Sequence, residues 1–570
     1  MIRIFIGLLF IAALPPRLRG QNRYDVVISE IMADPVPLVG LPNNEWLELK
    51  NMTAAPINLQ NWRVGDGTSQ SGPMPNFILQ PDSFVIVCTG TAAAAMAAFG
   101  STISVTSFPS LDNDGDQPFL RAANGRTIHA VSYESAWYRN EVKKDGGWTL
   151  EMIDTKSPCA GSSNWKASIS VTGGTPAKKN SVDAINIDVI PPQLKRAYTT
   201  DSVTIILVYD EPVDSLPGAT LVNYSIDGNL VLISAATLAP LFNLAQLKTN
   251  TPMAANTVYT ITTAHIKDCS NNIIGTANKA KVGLPVDPAA GEWVINELLF
   301  NPGSTGSDFV EFYNNSNKIF DASKLYIANR NSSGAISSIK ALSSVPFYIF
   351  PGDYIVETEE PDNLSLQWLV KNPGNVLLVP SPPSFPDNEG DVVTLNFQGL
   401  VVDEVKYKDD WHFKLIDNTE GVSLERIDPG GPSQDAANWH SAASTAGYGT
   451  PTYKNSQYKL VMAVHASIEI SPKVFSPDND GRDDIATIQY AVMEPGYVAN
   501  MVIFNAAGRP VRNLVRNGTM GLAGNWNWDG LDDKGNKLPL GTYIIFTEIF
   551  NLQGKKQYFK NAIVLARKIN

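Results

Sequence analysis

The stretch that decides the fold is ISEIMADP at residues 28–35, because it returns as INELLFNP at residues 295–302. EWLELKN at 45–51 returns in the same way as DFVEFYN at 308–314. Five shorter matches follow in the same order: 113–116 with 388–391, 150–154 with 424–428, 164–165 with 438–439, 174–176 with 449–451, and 180–181 with 455–456. A duplicated module of roughly 160 residues predicts an array of folded units rather than one large catalytic domain.

Strand signals dominate the chain between the repeated blocks. Runs such as VTIILVY at 203–209 and VYTIT at 258–262 stand between clusters of Gly, Pro, Asn and Asp, which punctuate strands. Short helices are expected only at 91–99 and, at the corresponding place in the second copy, at 362–372. The predicted fold class is therefore all-β, an array of immunoglobulin-like β-sandwich domains.

The chain has 570 residues, and about 100–200 residues per domain leaves room for several units. We place a first repeat copy at 24–183, a smaller β unit at 187–288, a second copy at 291–457 and a last β unit at 466–570. These are called copy one, the middle segment, copy two and the C-terminal segment.

The first twenty residues have the features of a signal peptide. A positive start, MIR, precedes an apolar run at 4–14, Pro15-Pro16 breaks the run, and Gly20 suits a cleavage point. An uncleaved anchor or a wrongly assigned start are the alternatives. The run is shorter than the ~20 residues that span a bilayer, and no later stretch qualifies. An exported protein, extracellular or at the outer-membrane surface, is expected.

Net charge and cysteine content argue against several classes of protein and site. The net charge of −12 argues against nonspecific nucleic-acid binding, which needs a basic surface. Cys88, Cys159 and Cys269 are too few and too scattered for a disulfide framework, and no pair has metal-ligand spacing. Cys88 lies in the apolar run 84–88, which predicts a buried thiol.

The repeated module resembles the lamin-tail domain, an immunoglobulin-like β-sandwich. In copy one the resemblance rests on residues 26–31 with Asp34-Pro35, on 45–51, on 57–59 and on Trp62. In copy two it rests on 294–297 with 301–302 and on 309–314. It implies a binding and scaffold module, with no active-site residues to carry over.

The other two segments resemble further immunoglobulin-like domains. The middle segment, through 205–213, 223–224, 259–261, 266–268 and 271–272, is similar to Ig-like domains of bacterial surface proteins. The C-terminal segment, through 475–484, 502–509, 528–530 and 538–543, is similar both to the C-terminal domains of Bacteroidetes secreted proteins and to the flagellar hook-capping Ig-like domain. The first resemblance implies an address for type IX secretion, and the basic end at 565–568 agrees with it. Ala506-Ala507 departs from the usual pattern and leaves the choice between the two open.

One acidic loop is a candidate for a metal ion. Asp478, Asn479, Asp480, Asp483 and Asp484 crowd around Gly481, and oxygen ligands around a glycine turn suit Ca²⁺. The alternative is a turn in which Asx side chains satisfy their own backbone. The equivalent loops at 112–116 and 387–391 have the same two interpretations, with the plain turn favoured. No other cofactor is expected.

No catalytic residues are assigned. Glu30 and Glu48 recur as Glu297 and Glu311, but acids within alternating strands are commonly outward-facing or edge charges, so acid–base work is disfavoured. The five histidines have no His or Cys partner at ligand spacing, and neither a Gly-x-Ser-x-Gly elbow nor a phosphate-binding loop occurs. Tryptophans in the two copies could stack on sugars, although large aromatics are usually core. They are Trp46, Trp62, Trp137, Trp148, Trp165, Trp368, Trp411 and Trp439.

These observations favour a secreted or cell-surface, non-enzymatic binding or scaffold protein. Its expected partners are an unknown surface protein or glycan and, through the C-terminal segment, the secretion machinery. The alternative is an extracellular hydrolase, or its accessory subunit, acting on polysaccharide or nucleic acid. Such modules often accompany hydrolases, but no hydrolase signature is found in the sequence. An envelope or assembly component with the same ending is a third hypothesis.

Overall fold

The computed structural model describes residues 21–459 and 466–567. The proposed signal peptide at 1–20 and the end at Lys568 lie outside this part of the chain. The contacts divide the chain into two compact units. The first unit contains copy one and the middle segment as far as Val282, without Ala254–Val258. The second unit contains Ala254–Val258 and the chain from Gly283 onward, with copy two and the C-terminal segment.

In copy one, hydrophobic alternation produces short strands around one core. The strands are β1 (Val26–Met32), β2 (Trp46–Asn51), β3 (Ile57–Asn58), β4 (Arg63–Gly65), β5 (Ile78–Leu79), β6 (Phe84–Thr89), β7 (Thr102–Val105), β8 (Gly115–Asp116), β9 (Phe119–Arg121), β10 (Thr127–Ala130), β11 (Tyr133–Glu134), β12 (Leu150–Met152) and β13 (Trp165–Ala167). A six-stranded sheet runs in the order β13-β12-β1-β2-β6-β7, and β10-β9-β4 form a second sheet. One face of the large sheet carries Ile28, Ile31, Leu47 and Leu49 into the sandwich core.

The middle segment forms a smaller sandwich. Its strands are β14 (Leu194–Thr199), β15 (Thr204–Tyr209), β16 (Tyr224–Ile226), β17 (Leu232–Leu238), β18 (Leu244–Thr249), β19 (Tyr259–Thr263) and β20 (Lys279–Val282). They pair as β14-β15-β18-β17 and β16-β19-β20.

Copy two repeats the architecture of copy one. Its strands are β21 (Trp293–Leu299), β22 (Phe309–Asn314), β23 (Phe320–Asp321), β24 (Leu325–Arg330), β25 (Ile336–Ala341), β26 (Tyr348–Ile349), β27 (Tyr354–Thr358), β28 (Val376–Leu378), β29 (Glu389–Asn396), β30 (Val401–Lys408), β31 (Leu424–Arg426) and β32 (Trp439–Ser441). The sheet β32-β31-β21-β22-β27-β28 has the strand order of the large sheet in copy one, and β25-β24-β29-β30 face it.

The C-terminal segment has the longest strands. They are β33 (Ser467–Ser471), β34 (Val474–Phe475), β35 (Ala486–Ala491), β36 (Tyr497–Asn505), β37 (Pro510–Thr519), β38 (Ala523–Trp528), β39 (Gly541–Asn551) and β40 (Lys556–Leu565). They form the sheets β33-β35-β38 and β34-β40-β39-β36-β37 around their own core. The predicted all-β class, an array of Ig-like sandwiches, is confirmed.

Helices are few and short. The α-helices are α1 (Ala93–Met96), α2 (Ser215–Gly218) and α3 (Pro361–Gln367). Single 3₁₀ turns lie at Ser135–Tyr138, Lys143–Asp145, Gly161–Asn164, Leu221–Asn223, Ala322–Lys324, Pro373–Asn375, Asp409–Trp411, Ala436–Asn438 and Ser444–Ala446. The helices predicted at 91–99 and 362–372 are present but shorter, and each connects the edge strand of a large sheet to the parallel strand beside it. No helix in the described ranges is long and apolar enough to cross a membrane.

A disulfide joins copy one to the middle segment, which the sequence analysis did not anticipate. Cys159 and Cys269 are bonded although 110 positions separate them. Arg23 strengthens the same junction, since its guanidinium donates to the Val213 carbonyl at 2.8 Å and lies over the Phe242 ring. Cys88 is free and buried, as predicted, and burial raises the pKa of its thiol to about 11.

We expect one titratable thiol per chain in unfolded, non-reduced protein isolated from an oxidising compartment, and three after reduction. Because the bridge closes a loop of more than one hundred residues, Cys159→Ser with Cys269→Ser should cost about 2–5 kcal/mol of stability. Thiol titration and thermal unfolding measure the two effects. Cys88→Ala is the control, which removes the free thiol and leaves the bridge. Three thiols without reductant would contradict the pairing.

Candidate functional site

Each copy carries three glutamates side by side on its large sheet. In copy one, Glu30 of β1 faces Glu48 of β2 on one side and Glu151 of β12 on the other. Directly opposed residues in antiparallel strands have Cβ atoms only about 4.5–5.5 Å apart, so the three carboxyl groups are neighbours. We call this set triplet one.

Triplet two has the same arrangement in copy two. Glu297 of β21 faces Glu311 of β22 and Glu425 of β31. A register shift directly before the central glutamate occurs in both copies, at Ser29 in β1 and at Asn296 in β21. This bulge places the central glutamate on the sheet face that points away from the sandwich core.

All six glutamates are buried, at 0% exposure. The expectation that Glu30, Glu48, Glu297 and Glu311 are outward-facing or edge charges is therefore wrong. The reason is tertiary: the last stretch of each copy folds across the outer face of the sheet and covers it. The sequence pattern shows one apolar face of β1, but both of its faces are buried along its whole length.

The covering segment of copy one is held by hydrogen bonds to triplet one. The Thr175 amide donates to Glu30 Oε1 at 2.7 Å, and the Ala177 amide donates to Glu48 Oε2 at 2.6 Å. The Thr175 hydroxyl donates to Glu151 Oε1 at 2.9 Å. Ser181 and Val182 complete the set by donating to Glu151 Oε2 at 2.8 and 3.1 Å.

The close approach of this segment requires a glycine beside triplet one. A Cβ on Gly174 would lie 2.8 Å from Glu30 Oε1, inside contact distance. Asn180 then fixes the far end of the segment, because its side-chain amide donates to the carbonyls of Ser29 and Met152 at 2.9 and 2.8 Å. The repeated Gly-Thr-Pro and Asn-Ser blocks are thus the residues that attach the segment to the sheet.

Copy two uses the same bonds. Thr450 donates from its amide to Glu297 at 2.8 Å and from its hydroxyl to Glu425 at 2.9 Å. The Thr452 amide donates to Glu311 at 2.6 Å. Ser456 and the Gln457 amide bond Glu425, and Asn455 donates to the carbonyls of Asn296 and Arg426, both at 2.9 Å. The two sets match residue by residue at the positions that repeat in the sequence.

No basic side chain in the described residues neutralises the triplets, because none of the ion pairs there includes these glutamates. Burial, and after it the charge of Glu151, raises the pKa of Glu30 to about 8. Burial and the charge of Glu425 raise the pKa of Glu297 to about 8 in the same way. For Glu48 and Glu311, burial followed by the neighbouring central glutamate raises the pKa well above its usual range. Protons therefore replace a counter-ion at neutral pH.

The triplets are built for structure rather than for acid–base catalysis. Each carboxyl group is covered by its own chain, and its oxygens accept bonds from backbone amides and hydroxyls of the covering segment. A catalytic carboxylate needs a path for substrate, which the covering segment closes. Sequence reasoning found four of the six glutamates and the repeat of Glu151 as Glu425, but gave the third glutamate no role.

The proposed Ca²⁺ loop brings together three of its five candidate ligands. Carboxylate oxygens of Asp478, Asp480 and Asp484 lie within 4.8 Å of one another, whereas the carboxylate of Asp483 does not join them. Asp484 accepts the amides of Asp478 and Asn479 on one oxygen, at 3.0 and 2.6 Å, and the Gly481 amide on the other, at 2.8 Å. This is the bonding of an Asx-rich turn, and the remaining lone pairs of the three exposed or half-exposed acids still fit a Ca²⁺ ion.

A second acidic cluster was not singled out by sequence reasoning. Asp188, Glu211 and Asp268 come within 4.8 Å of one another in the first unit. Burial, and then the charges of Asp188 and Asp268, raise the pKa of Glu211 to about 8. Asp268 accepts the backbone and side-chain amides of Asn272 at 2.8 and 2.6 Å. Because the three acids come from distant positions in the chain, no local motif signals the cluster.

The tryptophans are used for packing. Five of them are buried, namely Trp46, Trp62, Trp165, Trp368 and Trp439. Trp137, Trp148 and Trp411 are partly buried and pack against the cores of their copies. The hypothesis that tryptophans form a sugar-stacking surface therefore finds no support, and their usual role in a sandwich core explains them.

Residues 20–135 match the family model of the lamin tail domain. The match covers the greater part of copy one, and copy two has the same strand order in its large sheet. No significant match was found among curated proteins.

Solved structures give only distant likenesses. The N-terminal part of the bacterial S-layer protein SbsC is 15% identical over 29% of this chain and 40% of its own, with a TM-score of 0.16. A DUF4876 family protein from Bacteroides thetaiotaomicron is 12% identical over 36% and 83%, with a TM-score of 0.18. PorZ from Porphyromonas gingivalis, a surface component of the type IX secretion system, is 9% identical over 96% and 82%, with a TM-score of 0.16. The chain thus covers less than half of the SbsC fragment, and such TM-scores carry no argument about function.

The protonated triplets predict that stability falls as pH rises from about 6.5 to 8.5. Above pH 4.5 the unfolded glutamates are ionised, whereas folded Glu30 and Glu297 keep their protons until pH approaches 8. Buried His129 and His412, whose pKa burial lowers to about 4, act in the opposite direction only below pH 6.5, where the unfolded histidines become protonated. The melting temperature measured across this pH window should therefore decline.

The matched test uses Glu30→Gln and Glu297→Gln, which keep the shape and an acceptor oxygen but cannot ionise. Each variant should flatten the decline between pH 6.5 and 8.5. Glu292→Gln is the control, because its carboxylate is paired with Lys318 and its pKa is lowered. A decline of unchanged slope in both triplet variants would show that the glutamates are ionised in the folded protein.

Proposed function

We propose that this chain is an exported, non-enzymatic scaffold of the bacterial cell surface or its surroundings. The lamin-tail-like copies serve as interaction modules, and the C-terminal segment directs type IX-type secretion or surface attachment. The partners are a surface protein or glycan for the copies and the secretion machinery for the C-terminal segment.

The observation that carries this proposal is the use of the triplets. The triplet glutamates that both copies share are consumed in attaching each copy's own last segment to its sheet. A duplicated catalytic module would repeat an accessible set of reactive groups, whereas this duplication repeats an internal fastening. Such repetition supports a role in which a rigid frame presents variable surfaces.

The disulfide supports export. Cys159–Cys269 would persist in an oxidising compartment and would be reduced in the cytosol of a mesophile. It connects two segments rather than closing one small fold, so it stabilises an arrangement of modules outside the cell. The similarity of residues 20–135 to the lamin tail domain agrees with a module that binds rather than reacts.

The C-terminal segment is attached to copy two through the same covering segment that lies on triplet two. Gln457 donates to the Met520 carbonyl at 3.2 Å, and the Leu522 amide donates to the Ser456 carbonyl at 2.9 Å. Ser444 donates from its amide and hydroxyl to Thr519 at 3.1 and 2.8 Å. A secretion address joined in this way remains folded against the cargo that it exports.

Secretion is tested by fractionating source cells that express the full chain or a chain ending at Lys459. The full chain should reach the surface or medium, and the shortened chain should stay in the periplasm. Because shortening removes the partners of Ser444 and Gln457, a second protein carries residues 460–570 fused to a periplasmic reporter. Export of that reporter would support the address, and periplasmic retention of both the full chain and the reporter fusion would contradict it.

We further propose that Asp478, Asp480 and Asp484 hold Ca²⁺. Saturating Ca²⁺ should raise the unfolding temperature of the C-terminal transition in the full chain by several degrees, and chelator should reverse it, because a ligand that binds only the folded state stabilises it. Asp480→Asn should abolish the shift. Asp116→Asn, in the acidic loop of copy one, is the control that should preserve it. A melting profile indifferent to Ca²⁺ in the unmodified protein would leave the loop as a plain turn.

A further inference from the structure

The segments that cover the two triplets differ in residues that do not bond the glutamates. Thr450 and Ser456 repeat Thr175 and Ser181, but between and after them copy two has Tyr453 and Tyr458. Copy one has Lys178 and Asp183 at those positions. The residues that bond the triplets are thus kept, while these two positions of the covering segment change from charged to aromatic.

The neighbouring strands change in the same direction. In copy one, Lys50 of β2 faces Phe84 of β6, and its ammonium group is paired with Asp82 at 3.0 Å. In copy two the same register positions hold Tyr313 and Tyr354, whose ring centroids are 4.6 Å apart. Burial raises the pKa of Tyr313 and of Tyr354, and the phenol of Tyr458 adds to both increases.

The second unit contains a cleft of about 530 Å³ beside the covering segment of copy two, within the size range of ligand-binding sites. Tyr453, Tyr458, Lys371, Lys454 and Asn525 contribute to its walls. The tyrosines are half-buried, so a face or edge of each ring remains open to solvent. We call this site, together with the adjacent Tyr313–Tyr354 pair, the tyrosine–lysine cleft.

The two lysines of the cleft lie over aromatic rings. Lys371 Nζ is 3.8 Å from the centroid of Tyr453, and Lys454 Nζ is 4.1 Å from the centroid of Tyr458. Neither ammonium group pairs with a carboxylate in the part of the chain that the structure describes. In copy one the counterpart of Lys454 is Lys179, which is paired with Asp183 at 2.6 Å. Replacing that aspartate by Tyr458 releases a cation in a chain whose net charge is −12.

The hydroxyl groups of the cleft are also available. Tyr313, Tyr354, Tyr453 and Tyr458 form no side-chain hydrogen bond with any residue in the described ranges, although buried tyrosines elsewhere do, as Tyr407 does with the Pro386 carbonyl at 2.9 Å. Half-buried aromatic rings, hydroxyl groups without a partner and an amide suit a ligand that is rich in hydroxyl groups. Two unpaired ammonium groups in the same cleft favour a ligand that also carries negative charge.

We propose that the tyrosine–lysine cleft binds an acidic polysaccharide. Pyranose faces stack on Tyr453 and Tyr458, and the acidic substituents pair with Lys371 and Lys454. The Tyr313–Tyr354 pair extends the surface for a further sugar unit. This proposal deepens the interaction role given above to copy two. The binding experiment uses purified protein, so its result does not depend on the outcome of the secretion experiment.

The experiment is calorimetric titration of the full chain with oligogalacturonate, using cello-oligosaccharides of equal length as the neutral comparison. Oligogalacturonate should bind, the neutral oligomers should bind at least tenfold more weakly, and raising the salt concentration should weaken the acidic ligand selectively. Tyr458→Asp, which restores the residue of copy one and gives Lys454 a partner, should reduce affinity at least tenfold. Lys454→Ala should reduce affinity and its dependence on salt.

Controls separate binding from folding. Lys179→Ala in copy one should leave affinity unchanged, and each variant should keep the melting temperature of the unmodified protein within a few degrees. Absence of binding to oligogalacturonate would overturn the proposal, as would equal affinity for the neutral oligomers. Equal affinity for polyglutamate would overturn it in favour of a protein partner. Should Tyr458→Asp unfold, Lys454→Ala decides alone, because Lys454 is exposed and forms no ion pair with a described carboxylate.

Discussion

The hydrogen bonds between three buried, adjacent glutamates and the segment that crosses over them are the constraint on which each lamin-tail-like copy depends. When the covering segment buries the glutamates, their carboxyl oxygens lose their hydrogen bonds to water. Each of these oxygens then needs a donor from the protein. The covering segment supplies those donors at fixed intervals from Thr175 to Val182, and from Thr450 to Gln457. The spacing of the donors fixes the path of the segment. A purely apolar contact of the same area would permit it to slide.

Protons, rather than cations, neutralise most of this charge. A buried arginine would need its own set of acceptors, and a buried ion pair gains little over an apolar contact after desolvation. Carboxylic acids that share donors with their neighbours avoid that cost, because the neutral form carries no charge to desolvate. The consequence is a fastening that is stronger at mildly acidic pH and weakens as pH rises towards 8 and the glutamates ionise.

The all-β fold could be predicted from sequence because it rests on local signals: alternating strands, turn residues and blocks that repeat in order. The role of Glu30 and Glu48 could not, because alternation in β2 reveals which residues share a face but not whether something covers that face. The covering segment begins more than one hundred residues after β2, and only the folding of the chain brings Thr175 to Glu30. The Cys159–Cys269 bond was missed for the same reason, since it joins two predicted domains. The sequence did contain one pointer, which is that Gly-Thr-Pro and Asn-Ser repeat although they belong to no strand.

The covering segments of the two copies differ in their surface residues although their bonds to the triplets are the same. Since Thr450, Asn455 and Ser456 do the fastening, the intervening Tyr453 and the following Tyr458 are free to change without loosening the segment. Lys454 therefore lies over the ring of Tyr458, whereas its counterpart Lys179 is paired with Asp183. Bonds to the buried triplet thus separate stability from recognition within the nine residues 450–458. This separation explains how one copy can remain a structural module while its duplicate gains a surface with the chemistry of a binding site.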